Sequence, residues 1–129
     1  VFACMKAYAI DRDDIKQSMK VIHQVTDEVK NGRNYLIFAE GTRSRDGNKL
    51  LEFKGGSFKA AIKAKCPIVP VALIDSYKAF DTKSIKKLTV QVHFLEPMPY
   101  EMYKDMKSQE IAEFVRRRIE RVISENDCY

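Results

Sequence analysis

Residues 35–39, Tyr-Leu-Ile-Phe-Ala, form an unbroken apolar run that passes directly into a polar segment, 40–48, containing Gly41, Asp46 and Gly47. A run this short has no polar face to turn toward water. It reads as a strand buried on both sides, the kind found in parallel sheets covered by helices. The preceding segment agrees: Ile15, Met19, Ile22, Val25 and Val29 recur at steps of four, three, three and four, the stripe of an amphipathic helix. Asp11, Asp13 and Asp14 supply N-capping types ahead of it, and Asn31-Gly32 is a stop signal behind it.

The rest of the chain continues the alternation. Gly55-Gly56-Ser57 opens a second helix, 58 to about 65, with Phe58, Ala61 and Ile62 inward. Residues 68–74 form a second buried strand, entered through Pro67 and interrupted by Pro70, where an edge or bulge is expected. Residues 88–95 alternate, with Leu88, Val90, Val92 and Phe94 against Thr89, Gln91 and His93, as in a half-exposed strand, and Pro97 and Pro99 end it. Ser108 caps a last helix carrying Ile111, Phe114, Val115, Ile119, Val122 and Ile123. With an opening strand, the order is strand, helix, strand, helix, strand, strand, helix. It predicts an α/β fold with a mostly parallel sheet flanked by helices.

A length of 129 residues suits a single domain spanning 1–129. Hydrophobic residues make up 45% of the chain, with five Gly and four Pro, which excludes a disordered or low-complexity class. The longest apolar run, 66–74, is far short of the ~20 residues a membrane helix needs. Cys4, Cys66 and Cys128 form no CxxC pair, so a zinc site of that spacing is excluded and free thiols in a reducing compartment are expected. The start, Val1-Phe2-Ala3-Cys4-Met5, has no basic region of a secretory signal and reads as an interior strand, so the chain is expected to be a piece of a longer protein.

The 23 basic and 18 acidic residues give a net charge of +5, and the surplus is local. Residues 43–65 hold seven basic side chains and two acidic ones, whereas the flanking stretches balance. This stretch begins in the loop after the first buried strand, and ligands of open α/β sheets sit beyond the carboxyl ends of strands. Glu40-Gly41-Thr42-Arg43-Ser44-Arg45 offers two guanidinium forks, two hydroxyls and backbone N–H groups, a set suited to phosphate. Glu40 either holds one arginine in place or orients the loop. The plainer alternative is a solvated charged turn. Lys54-Gly55-Gly56-Ser57 at a helix start is a second anion candidate, set against a simple turn with an N-cap. Asp11-Arg12, at the end of the opening strand, either joins the same ligand face or caps the first helix beside a surface arginine.

Other constellations carry less. His23 lies mid-helix off the apolar stripe, and its spacing to Glu28 puts the two about 140° apart around a helix. His93 lies on the polar face of an alternating strand. Both read as structural or solvated, and no Ser-His-Asp or Cys-His order is present. Arg116, Arg117, Arg118 and Arg121 are balanced by Glu110, Glu113, Glu120 and Glu125, the pattern of a salt-bridged helix face. Aromatic residues do not interleave the basic ones as a single-strand platform requires, so no nucleic-acid partner is expected.

Phe38-Ala39-Glu40-Gly41-Thr42-Arg43-Ser44 resembles the third conserved block of the 1-acyl-glycerol-3-phosphate acyltransferases, the lysophosphatidate acyltransferase family. The family's usual form is Phe-Pro-Glu-Gly-Thr-Arg-Ser, and Ala39 stands where it has proline. Ala9-Ile10-Asp11-Arg12 resembles the second block, Pro67-Ile68-Val69-Pro70-Val71 the fourth, and Phe53-Lys54-Gly55-Gly56 the family's Phe-Lys-x-Gly segment. The resemblance covers residues 5–75 well and implies a glycerol-3-phosphate acyltransferase-like fold, lacking its N-terminal part here. It implies transfer of a fatty acyl group from acyl-CoA or acyl carrier protein to lysophosphatidate, giving phosphatidic acid, at the cytoplasmic face of a membrane. No cofactor or metal is implied. Carried over, Arg12, Glu40, Gly41, Thr42, Arg43, Ser44 and Lys54 bind the acceptor, with Arg43 on its phosphate, and Pro67, Ile68, Val69 and Pro70 form the acyl-donor region. The family's catalytic His-x-x-x-x-Asp block is absent from this chain and is expected upstream of Val1. The alternative is a non-catalytic anion-binding α/β module.

Overall fold

The computed structural model describes residues 7–10 and 13–127. Helix α1 spans Ile15–Lys30; Asp14 caps it by accepting a hydrogen bond from the Gln17 N–H at 3.0 Å, and Asn31 closes it. Gly32 follows at φ +90°, a conformation glycine adopts without penalty. Its buried side chains are Val21, Val25 and Thr26, so the packed stripe is rotated from the expected one and Ile15 is exposed. A 3₁₀ turn over Gly55–Phe58 leads into α2, Lys59–Ala64, whose Ala60 packs against Val21 and Val25.

Strands β1 (Val71–Ile74) and β2 (Gln91–Phe94) pair with Ala72 opposite His93 and Leu73 opposite Val92. Beyond Pro70, Ile68 pairs with Met98, so three residues of one strand face two of the other. This bulge stands where the proline, which has no N–H to donate, interrupts the ladder. Helix α5, Ser108–Asn126, lies across one face of this pair. Ile111 and Ala112 are fully buried with Ala72, Ile74 and Met98, and Val115, Ile119 and Ile123 continue the seam. Two single-turn helices, α3 (Lys78–Asp81) and α4 (Tyr100–Tyr103), occupy connections expected to be loops. Tyr103 is fully buried, and its hydroxyl donates toward the carbonyls of Ala61 and Cys66 at the end of α2, joining that helix to the main core. Burial pushes the Tyr103 hydroxyl up to about 12.

The α/β class stands, but several expectations need correction. Among the described residues the one ladder is antiparallel, not parallel. The connection from β1 to β2 contains only the single turn of α3, too short for the crossover helix a parallel pair needs. Among the described residues, 35–38 pair with no strand, a turn begins at Ala39, and Leu36 and Phe38 are more than 70% exposed. Leu73, Val92 and Phe94 also face outward, because α5 covers only the opposite face. At the last helix, Lys107 rather than Ser108 holds the cap position, with its N–H donated to Glu110 Oε2 at 2.7 Å, and Phe114 is exposed.

Gly55 is buried where the 3₁₀ turn meets the start of α5: a Cβ there would stand 2.8 Å from Gln109 Oε1 and 3.2 Å from the Gln109 backbone nitrogen. At Gly56 a Cβ would meet nothing within 4 Å. Gly55→Ala is therefore expected to lower unfolding free energy by about 1–3 kcal/mol through overpacking, while Gly56→Ala stays within about 1 kcal/mol of the parent. Urea denaturation of the two variants side by side checks this.

Candidate functional site

The loop 40–48 is fixed at both ends. Glu40 turns inward and its Oε2 accepts the Leu51 N–H at 2.8 Å, while the Lys54 N–H donates to the Ala39 carbonyl at 2.8 Å. Of the two roles open to Glu40, the structure has it orienting the loop; among the described residues its carboxylate holds no arginine. Gly41 and Gly47 lie at φ +70° and +59°, the left-handed turns that let the chain reverse twice. At the far end Asn48 accepts the Asp75 N–H at 2.8 Å and donates its amide to Asp75 Oδ1 at 3.1 Å and to Asp127 Oδ1 at 2.9 Å. Asp75, at φ +65° just after β1, also pairs with Lys78 at 2.8 Å. The Lys78 ammonium, aided by the Asn48 amide, holds the Asp75 carboxyl below the usual carboxylate range.

These anchors leave the arginines outward. Arg43 is 58% exposed; its guanidinium lies 3.7 Å from Asp81 and 5.6 Å from the centre of the Phe80 ring. An exposed pair at that distance is worth less than about 1 kcal/mol, so a phosphate can displace it. Gly41, Thr42 and Arg45 are exposed, and Ser44 accepts the Asp46 N–H at 3.3 Å while its own hydroxyl hydrogen is still available to donate. On the opposite flank, a cleft of about 400 Å³ between the loop and the end of α5 is lined by Asp46, Glu120 and Asp127 against Lys49. That side repels an anion, so an anion approaching this loop would meet the face carrying Arg43.

Glu40, Gly41, Thr42, Arg43 and Ser44 share one loop, and the Lys54 backbone is held beside its start through the Ala39 carbonyl; Arg12 lies outside the described residues. The Lys54-Gly55 helix start is not an independent anion site, since it is a four-residue 3₁₀ turn packed on α5. Pro67, Ile68, Val69 and Pro70 form the bulged edge leading into β1, with Pro70 buried and Val69 exposed. His23 is exposed on α1, and His93 bonds Gln91 at 3.0 Å. Arg116 and Arg117 both bind Glu113, and Arg121 binds Glu125, the salt-bridged face expected of this helix. Asn48, Asp75 and Asp81 escaped sequence reasoning; the only signal was the turn-forming Asp75-Ser76 after an apolar run. Among the described residues no group of His, Cys, Asp and Glu is arranged to hold a metal, and no helix is long and apolar enough to cross a membrane.

One further cluster steadies the approach to the loop. The Glu28 carboxylate accepts from Tyr8 at 2.7 Å, Tyr35 at 2.5 Å and Arg33 at 2.6 Å, so α1 clamps segments 7–10 and 33–39 side by side. The tyrosine hydroxyls, Tyr35 first, hold Glu28 down to about 2. A depressed carboxylate stabilises the fold above its unfolded pKa and loses that contribution as pH falls through the folded one. Stability is therefore expected to fall between about pH 4.5 and 2, and Glu28→Gln to flatten part of that slope. Glu113, held down to about 2 by Arg116 and then Arg117, accounts for another part of the same slope. Denaturant midpoints across that range, parent against Glu28→Gln, measure the difference.

The family model Acyltransferase matches residues 1–74. The chain is 34% identical over 119 residues to 1-acyl-sn-glycerol-3-phosphate acyltransferases of Salmonella typhimurium and Escherichia coli, covering 92% of this chain and 48% of each relative. It is 37% identical over 92 residues to 1-acyl-sn-glycerol-3-phosphate acyltransferase alpha of Ovis aries, covering 69% of this chain and 31% of that protein. Among solved structures, the 1-acyl-sn-glycerophosphate (LPA) acyltransferase PlsC of Thermotoga maritima superposes with a TM-score of 0.70 at 25% identity, over 84% of this chain and 44% of that one. The chain spans about half the length of the bacterial relatives it matches.

Proposed function

This chain belongs to the acyltransferase family, and we propose that it carries the acceptor-phosphate side of a lysophosphatidate acyltransferase of glycerophospholipid synthesis. In that reaction the free hydroxyl of lysophosphatidate attacks the thioester of acyl-CoA or acyl carrier protein. The new ester is phosphatidic acid, and the hydroxyl proton ends on the departing thiol. The observation that supports this reading most is the division of labour in the loop: Glu40 is spent inward on the Leu51 N–H, which leaves Arg43 outward on a weak contact with Asp81. A phosphate replacing Asp81 would gain a charge-assisted fork and lose little. Thr42, Ser44 and Lys54 add donors around it, and Arg12 is a further candidate for the same phosphate.

The general base is not among these residues. The chain contains no His-x-x-x-x-Asp, and Glu28, five residues after the exposed His23, is held by Tyr8, Tyr35 and Arg33. In this reading the base comes from outside the 129 residues, the bulged 67–70 segment borders the acyl donor, and the work takes place at the cytoplasmic face of a membrane.

In the full-length enzyme, Arg43→Ala is expected to lower kcat/KM for lysophosphatidate by about 10- to 100-fold, the worth of a hydrogen bond to a charged group, with the fold intact. Arg43→Lys should recover part of the loss, since it keeps the charge but not the fork. Unchanged acceptor kinetics in Arg43→Ala would remove the phosphate role. The 129-residue chain alone should transfer no acyl group, which a radiolabelled acyl-CoA assay reads directly.

A further inference from the structure

The connection from β1 to β2 carries two of the most exposed apolar side chains of the described residues: Phe80 is 79% exposed and Ile85 wholly so. Every residue from 81 to 90 is exposed. Lysines surround these tips, Lys78, Lys83, Lys86 and Lys87 against the single acid Asp81 within 78–90. Among the described residues, Lys83, Lys86 and Lys87 have no ion-pair partner, in contrast to the arginines of α5 that glutamates of the same helix neutralise. Beside the tips lies a cleft of about 460 Å³, lined by Lys78, Thr82, Ser84, Lys86 and Lys87. Lys78 is paired with Asp75 and the Thr82 hydroxyl donates to the Lys78 carbonyl, so the phosphate-binding chemistry of this cleft is that of Lys86, Lys87 and the Ser84 hydroxyl.

We propose that the 78–88 surface docks the protein on an anionic lipid bilayer, with Phe80 and Ile85 among the acyl chains and Lys83, Lys86 and Lys87 against head-group phosphates. Exposed apolar tips flanked along the segment by the unpaired Lys83, Lys86 and Lys87 match both layers of such a surface, hydrocarbon beneath and negative charge above. Nucleic acid would gain little from an isolated phenyl and an isoleucine with no stacking row. The site's position adds a consequence. The Phe80 ring that would enter the bilayer stands under the Arg43 guanidinium at 5.6 Å, so a phospholipid acceptor would meet Arg43 at the interface. That orientation rests on the phosphate role given to Arg43, whereas the docking is measured without turnover, so the two fail separately.

The test is partition of the 129-residue chain into sedimented vesicles, 30% phosphatidylglycerol in phosphatidylcholine against phosphatidylcholine alone. Binding only to the anionic vesicles is expected. Lys86→Glu/Lys87→Glu should weaken it on the order of 30-fold or more, and Phe80→Ser/Ile85→Ser on the order of tenfold or more. Two controls keep the result specific: Lys16→Glu/Lys20→Glu makes the same charge change on α1, and Val92→Ser/Phe94→Ser removes apolar surface from the sheet. Both should bind like the parent, with circular dichroism confirming that every variant is folded. Absence of parental binding, equal loss in either control pair, or undiminished binding in the 78–88 variants would overturn the proposal. So would a parental dimer that Phe80→Ser/Ile85→Ser dissociates, or tighter binding to a single-stranded oligonucleotide than to the vesicles.

Discussion

The seam between α5 and the inner face of the β1–β2 pair fixes the rest of the described structure. Ala72 and Ala112 are both fully buried in it, and residues this small let helix and strand approach closely while Ile74, Met98 and Ile111 fill the flanks. A buried aliphatic side chain of this kind is worth roughly 1.5–3 kcal/mol, so a few of them outweigh the polar contacts made elsewhere. Two neighbours depend on the seam directly. The 3₁₀ turn can lie against the start of α5 only because Gly55 has no side chain. The loop 40–48 is positioned because Asn48 reaches both Asp75, where β1 ends, and Asp127, where α5 ends. The loop that carries Arg43 is thus referenced to both components of the seam and not merely to the segment before it.

Local periodicity made the helices legible. The stripes of α1 and α5 place side chains on one face whatever the tertiary partner, and the Asp14 cap and Asn31-Gly32 stop are local chemistry. Strand faces were less legible. Apolarity over residues 35–39 signals a need for burial but names no partner, and Leu36 and Phe38 stand exposed here. The same limit applies to β2, whose Val92 and Phe94 turn away from α5. Parallel or antiparallel pairing depends on whether the connection holds a crossover helix, and the stretch after β1 resolves into one turn at α3 that no periodic pattern announced.

The candidate site was legible to the degree that its chemistry is contiguous. Glu40, Thr42, Arg43 and Ser44 follow one another, so their types and spacing appear in any reading of the chain. Their supports do not. Asn48 and Asp75 are separated by 27 residues, and Asn48 and Asp127 by 79. No local rule links such positions. The division of Glu40 from Arg43 was open for the same reason, because a Glu beside two arginines suggests an ion pair until the Leu51 N–H is found to take it.

Charge shows most clearly why position along the chain differs from position in space. Residues 66–129 balance in number, ten basic against ten acidic, which suggests an unremarkable surface. In the fold the acids Glu113, Glu120 and Glu125 are absorbed by arginines on their own helix, while the lysines of 83–87 are left unopposed. The basic face therefore continues from Arg43 across Phe80 into the β1–β2 connection and does not stop at residue 65, where the count along the sequence ends it. Asp81 sits at the junction beside Arg43, while Asp75 holds Lys78 at the start of the connection. At 3.7 Å from an exposed guanidinium, Asp81 is too weakly held to neutralise Arg43 against an anionic ligand. In the proposed role, a phosphate would exchange that weak contact for a charge-assisted fork, so the gain would come from the new bonds to Arg43.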